Sequence, residues 1–207
     1  MEKNIIVALD LESEIEAIKI ARLLKDEVYA FKVGYPLILN NGLQVLTKIA
    51  SIANVIVDIK IADIPDVSQA IAKKISSYGV KGIIMQGFVG SDTMKAVREV
   101  SRELYVVAEM SHEGSLQFIT PASEKIALLA KEVGADGLVA PATRPERIKV
   151  IKNIANLPIL SPGVGTQGGS YSEAMKNGAD YVIIGRSIIL SQDPLQKIKE
   201  FYNGVRK

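Results

Sequence analysis

A chain of 207 residues with 48% apolar and 23% charged side chains has the balance of a globular protein with a sizeable core. Its formal net charge of +2 is too small to mark a nucleic-acid-binding face, and no run reaches the roughly 18 consecutive apolar residues that a membrane span requires. The absence of cysteine excludes disulfides and thiolate ligands, and Met1-Glu2-Lys3-Asn4 leads straight into a strand pattern without the character of a signal peptide, so a cytoplasmic protein is expected.

Short apolar runs alternate with longer amphipathic stretches along the chain. The first run, residues 5–9, is followed by Ser13 as a helix-capping residue and a helical pattern through Ile15, Ile18, Ala21 and Leu23. Further strand patterns fall at 30–33, 55–59, 82–85, 105–109, 137–139, 159–160 and 181–184. Between the fifth and sixth lies a helical pattern through Ile126, Leu129, Ala130 and Val133 that ends at Gly134. Helices leave through small-residue exits, Tyr78-Gly79-Val80, Val133-Gly134-Ala135-Asp136 and Asn177-Gly178-Ala179-Asp180, each followed at once by a new apolar run. Eight strands each followed by a helix predict a (β/α)8 TIM barrel, one domain over 1–207, close to the lower limit of about 200 residues for that fold. The rival is a doubly wound open sheet. It usually carries a glycine-rich turn after its first strand, where this chain has Asp10-Leu11-Glu12-Ser13.

A barrel places its chemistry at the C-terminal ends of strands. There this sequence collects Asp10, Lys32, Asp58, Lys60, Asp63, Gln86, Ser111, His112 and Arg186, a concentration of ionised groups that burial would penalise without a purpose. The densest stretch is Asp58-Ile59-Lys60-Ile61-Ala62-Asp63. Strand alternation is expected to turn Asp58 and Lys60 to one side, and a lysine beside two carboxylates stays protonated. Such a fixed ammonium is suited to holding and donating a proton, although structural ion pairs look the same in sequence.

Two glycine-rich loops stand late in the chain. The seventh reads Ser161-Pro162-Gly163-Val164-Gly165-Thr166-Gln167-Gly168-Gly169, and the eighth strand closes with Ile184-Gly185-Arg186-Ser187. In such barrels these two loops frequently bind phosphate through backbone N–H groups, and Arg186 would add a charge-assisted bond; the plainer alternative is a pair of tight turns. The seventh loop, long and centred on Gln167, is a candidate flexible lid. His112 is the one histidine, and loop packing suits it better than acid–base work. Arg144 and Arg147 flank Pro145, which points to an ordinary helix start rather than an anion site.

The chain resembles the orotidine 5′-monophosphate decarboxylase family across essentially its whole length, especially its short archaeal-type members. The resemblance is carried by Ala8-Leu9-Asp10, Lys32-Val33-Gly34-Tyr35-Pro36, Asp58 through Pro65, Gly87-Phe88, Glu109-Met110-Ser111-His112, Thr143-Arg144-Pro145-Glu146-Arg147, the seventh loop and Gly185-Arg186-Ser187. It implies decarboxylation of orotidine 5′-monophosphate to uridine 5′-monophosphate, the last step of de novo pyrimidine nucleotide synthesis, without metal or cofactor. Lys60 would protonate C6 of the pyrimidine, Asp58 would sit beside the substrate carboxylate, and Lys32, Asp58, Lys60 and Asp63 would form an alternating charge network. Asp63 would come from the neighbouring subunit of a homodimer. Asp10 and Lys32 would hold ribose hydroxyls, Ser111 would read the pyrimidine edge, and Gln167 would bridge base and phosphate. Gly185, Arg186 and the loop residues Pro162, Gly163, Val164, Gly165, Gly168 and Gly169 would surround the phosphate, with Ile64 and Val67 also at the substrate.

Three positions depart from the family pattern: Gln86 for a frequent histidine, Val67 for an expected threonine and Glu113 for an expected proline. A magnesium-dependent sugar-phosphate decarboxylase or aldolase-like enzyme shares the Asp-x-Lys-x-x-Asp pattern but uses a carboxylate at the end of the second strand to help hold its metal. Here Lys32 stands in that place, and hard cations require oxygen ligands. A silent phosphate-binding barrel is the remaining alternative, which loss of Lys60 or either aspartate would have favoured.

Overall fold

The computed structural model describes residues 3–204; Met1 and Glu2, part of the expected leaderless start, and residues 205–207 lie outside that range. Eight strands close into one parallel barrel in sequence order: β1 (Ile5–Ala8), β2 (Ala30–Gly34), β3 (Val55–Ile61), β4 (Gly82–Gln86), β5 (Leu104–Val107), β6 (Gly137–Val139), β7 (Ile159–Pro162) and β8 (Tyr181–Ile184). The helices are α1 (Glu14–Leu24), α2 (Tyr35–Asn41), α3 (Gln44–Ala50), α4 (Pro65–Ser76), α5 (Ser91–Arg98), α6 (Ser115–Glu132), α7 (Pro145–Ala155), α8 (Tyr171–Lys176), α9 (Arg186–Ile189) and α10 (Pro194–Gly204). All eight expected strands are present, and closure of β1 on β8 through Ile5–Val182, Ile6–Ile183 and Val7–Ile184 removes the open-sheet rival.

Period-two alternation builds two cores from the same strands. Ile6, Ala8, Ala30, Ile56, Ile84, Tyr105, Val107, Val139, Leu160 and Ile183 fill the barrel interior. Their neighbours Ile5, Val7, Phe31, Val33, Val55, Val57, Ile83 and Met85 face the helices, each fully or almost fully buried. Burying each such aliphatic side chain contributes about 1.5–3 kcal/mol, so both faces of every strand are committed. Tyr105 uses much of the interior: a Cβ on Gly82 would come within 2.6 Å of its ring and one on Gly137 within 3.0 Å. These glycines make room for an aromatic side chain.

Local signals set the helix ends. The Ser13 side chain accepts a hydrogen bond from the Glu16 N–H at the start of α1, and Pro65 and Pro145 occupy the first turns of α4 and α7. Gly134, after α6, takes φ +72°, the left-handed conformation that glycine adopts at low cost. Helices of this kind return the chain to the bottom of the barrel and leave the C-terminal strand ends free to carry polar groups.

Candidate active site

Four charged side chains, from β2, β3 and the turn after β1, meet at the barrel mouth. Lys32 sits in β2 level with Ala8 and Ile56, in the inward-facing row, and Asp58 occupies the next inward position on β3. The Lys32 ammonium lies 3.0 Å from Asp10 Oδ1 and 3.3 Å from Asp58 Oδ2. Lys60 donates to both oxygens of Asp58, at 2.8 and 3.1 Å. The order Asp10–Lys32–Asp58–Lys60 therefore alternates in sign. A Cβ on Gly34 would stand 3.3 Å from Asp10 Oδ1 and 3.4 Å from Lys32 Nζ, so a bare backbone there leaves the chain of charges undisturbed.

Lys60 reaches Asp58 from an irregular stretch of β3. Opposite β4 the register jumps: Asp58 pairs with Ile84 but Ile61 pairs with Met85, leaving Ile59 and Lys60 in a bulge. Lys60 itself takes φ +47°, one of two non-glycine residues with positive φ among the described residues. A left-handed side-chain-bearing residue costs roughly 1–3 kcal/mol, and such strain persists where surrounding structure holds it, often at functional sites. The ammonium on this bulge lies beside Asp58 and lines the cavity at the barrel mouth.

The electrostatics follow from burial opposed by neighbours. Burial works against the charge of Lys32, yet the Asp58 and Asp10 carboxylates outweigh it and hold its pKa above the ordinary lysine value. Burial likewise works against ionised Asp58, and the Lys32 and Lys60 ammonium groups outweigh it, holding its carboxyl below the usual range. Both groups are held in their charged forms by one another.

These residues open into a cavity of about 320 Å³. Asp10, Lys32, Asp58, Lys60, Ser111, Pro162, Gly163, Val164, Gln167, Gly185 and Arg186, all expected at the site, line it. Ile84, Val107, Val139 and Ile183 form an apolar wall beside the charges. Asp63, Ile64 and Val67 do not line the cavity. They lie exposed past the end of β3, where Asp63 Oδ1 accepts from the Ile64 N–H at 2.7 Å and the Asp63 carbonyl accepts from Ser68 Oγ at 3.0 Å.

The loop between β7 and α8, the candidate lid, is folded into hydrogen-bonded turns. Its glycines at 163, 165 and 168 take φ of +100°, +84° and +91°, and they close turns: Gly168 N–H donates to Gly165 O, Gly165 N–H to Gly169 O, and Gly169 N–H to Gly163 O. Gly165, Gly168 and Gly169 thus shape the loop from behind, while Gln167 projects over the cavity. Its Oε1 accepts from Ser111 Oγ at 2.9 Å, joining the loops after β5 and β7 above the charges. Arg186 reaches the same cavity from the start of α9.

Sequence reasoning passed over one group at this mouth. Glu109, two residues past β5, is fully buried and lines the cavity, held by Arg144 Nε and Arg147 Nε at 2.9 Å each. Pro145 does start a helix as expected, but the arginines beside it are not merely its flanks, because they bind this carboxylate. The three-residue spacing of the arginines was the available signal. His112 is exposed and outside the cavity, its carbonyl accepting from the Ser115 N–H. Gln86 is buried, its Nε2 3.5 Å from Met110 Sδ, and does not line the cavity.

A family model described as orotidine 5′-phosphate decarboxylase / HUMPS family matches residues 3–201. Among curated relatives, a protein of Methanococcoides burtonii named orotidine 5′-phosphate decarboxylase is 46% identical, covering 97% of each chain. One of the same name from Methanocaldococcus jannaschii is 44% identical and covers 99% of each. Among solved structures, the Methanocaldococcus jannaschii orotidine 5′-monophosphate decarboxylase complexed with the inhibitor BMP superposes with a TM-score of 0.94 at 41% identity, covering 100% of both chains. The Pyrococcus horikoshii enzyme gives 0.91 at 40% identity, over 98% of this chain and 99% of that one.

Proposed function

The chain belongs to the orotidine 5′-phosphate decarboxylase / HUMPS family, and on that footing we propose that it decarboxylates orotidine 5′-monophosphate to uridine 5′-monophosphate, closing pyrimidine nucleotide synthesis as a carboxy-lyase. The observation that carries this reading is the alternating row Asp10–Lys32–Asp58–Lys60 at the mouth of a cavity with an apolar wall.

In the proposed step, the bond between C6 and the carboxylate breaks, carbon dioxide leaves and the electron pair stays on C6. That vinylic carbanion has no internal electron sink, so a preorganised cation has to meet it. The Lys60 ammonium supplies the field and then the proton, forming the C6–H bond of the product; solvent returns a proton to the amine. Asp58, between two ammonium groups, keeps Lys60 aimed and stands beside the departing carboxylate. Asp10 and Lys32 hold the ribose hydroxyls, Ser111 and Gln167 take the pyrimidine edge, and Gly185 and Arg186 take the phosphate with the loop from Pro162 to Gly169. Binding energy from the distant phosphate then serves the transition state through the Gln167 loop.

The family model also spans HUMPS members, and the Lys32 ammonium speaks for the decarboxylase side. It points inward from the second strand and engages the Asp10 and Asp58 oxygens that a hard cation would need. Lys60 engages Asp58 from its other side. The proposed chemistry therefore uses neither metal nor cofactor. No described helix is long and apolar enough to cross a membrane. A cytoplasmic place belongs to this reading, supported by the cysteine-free composition.

Asp63 belongs to the site in this reading only through a homodimer, and its exposed position beside exposed Ile64 and Val67 supports that. Subunit mixing tests it. Lys60→Ala and Asp63→Ala proteins should each be folded and nearly inactive. Mixed in equal amounts and allowed to exchange, they should recover about a quarter of wild-type activity, because each heterodimer regains one intact site. No recovery despite demonstrated exchange would remove Asp63 from the shared site.

A further inference from the structure

Glu109 lines the cavity and has no part in the proposed chemistry. It is completely buried, and each of its oxygens takes one guanidinium: Oε1 from Arg144 Nε and Oε2 from Arg147 Nε, both at 2.9 Å. Such charge-assisted bonds with fixed planar donors set geometry as well as energy. A buried ion cluster can be plain structural glue. Its placement argues for more.

Regular pairing of β5 runs out where the Ala108 and Glu109 N–H groups both donate to Val139 O, at 3.0 and 3.2 Å. The next main-chain hydrogen bond along the chain runs from Ser115 N–H to His112 O, so the stretch through Met110 and Ser111 leaves the sheet before the helix begins. Arg144 spans that gap: its terminal nitrogens donate to the Met110 carbonyl and, at 3.5 Å, to the Ser111 carbonyl. Arg147 instead secures α6, donating to Ser123 Oγ at 2.7 Å. The carboxylate of Glu109 thus aims one arginine at the loop that carries Ser111, while the second arginine locks the carboxylate.

We propose that Glu109 and Arg147 are positioning residues for pyrimidine recognition: they orient Arg144, which holds the main chain on either side of Ser111 and so fixes where Ser111 Oγ and its partner Gln167 meet the substrate. The proposal rests on the reading of Ser111 as a substrate contact. It predicts that Glu109 matters through Ser111 and not through general stability.

A double-mutant cycle separates the two. The kcat/KM for orotidine 5′-monophosphate is measured for wild type, Glu109→Gln, Ser111→Ala and the double variant, each checked for folding by thermal unfolding. Glu109→Gln alone should lower kcat/KM about tenfold, the equivalent of one well-placed hydrogen bond. In the Ser111→Ala background it should cause no further loss. Equal losses in both backgrounds overturn the positioning role while leaving Ser111 at the substrate. An unchanged kcat/KM for Ser111→Ala alone overturns the substrate reading of Ser111 and the proposal with it. If Glu109→Gln does not fold, Arg147→Lys, which keeps the charge and loses the fork, carries the same cycle with the same two outcomes.

Discussion

At the N-terminal end of the barrel, Tyr29 and Tyr181 stack with ring centroids 4.1 Å apart, Glu103 accepts from Lys81 at 2.6 Å and from the Tyr105 hydroxyl at 2.5 Å, and Lys81 lies over the Tyr29 ring. At the C-terminal end, Asp10, Lys32, Asp58 and Lys60 form a chain of similar contacts around an open cavity. Both ends hold charge in tight pairs. The lower end joins its polar groups to aromatic rings and closes the barrel. The upper end buys its geometry with a bulge and a left-handed lysine, and leaves the cations facing space. An ion cluster that costs backbone strain and remains open is placed for a ligand; one that packs against rings is placed for the fold.

That contrast can be broken by one substitution at each end. Lys60→Ala should lower decarboxylation by roughly 10⁴-fold or more, because it removes the proton donor together with the field at C6. The protein should stay folded, since Lys60 belongs to neither buried core and Asp58 keeps Lys32 as its partner. Tyr105→Ala at the lower end should do the reverse, costing about 3–5 kcal/mol in denaturant unfolding while activity per folded molecule is kept. Near-normal activity in Lys60→Ala, or lost activity in fully folded Tyr105→Ala, would erase the division between the two ends.

A smaller effect sharpens it through pH. The folded pKa of Asp58 is held below its ordinary 3.8, so its ionised form contributes stability that is present above that pH and lost as pH falls through the folded value. The folded pKa of Lys32 lies above 10.5, so its contribution is present below 10.5 and lost as pH rises through the folded value. Tyr202, beside the α8 helix, is pushed up to about 12 mainly by burial, so it also weakens the fold as pH climbs from 10 toward 12. The acid limb therefore belongs to the upper end, while the alkaline limb draws on more than one place. The difference in unfolding free energy between wild type and Asp58→Asn should shrink as pH drops below 3.8. A difference that stays constant there would contradict the charge chain.

The barrel was legible because its signals are local and repeated. Buried β-branched runs, a capping serine at Ser13 and the Gly134 exit each specify an element without help from distant residues. The site was legible as residue types at strand ends, since the fold alone decides which ends converge. Three features were not. Nothing in the spacing of Asp58 and Lys60 announces a bulge, because both a regular strand and this one bring them together. Glu109 lies 35 and 38 residues from the arginines that bind it, and a lone carboxylate after an apolar run carries no mark of its partner. The hydrogen-bonded turn after β7 rests on positive φ values at particular glycines, and glycine content alone does not say which bonds close.

The central claim is that a lysine, with no metal, meets the charge that forms when carbon dioxide leaves. It is tested most directly by following the ultraviolet absorbance of orotidine 5′-monophosphate mixed with the purified protein and excess chelator. A rapid loss of the orotate chromophore, unaffected by chelator, is the predicted result. An unchanged spectrum, or a loss that stops when chelator is added, would contradict it.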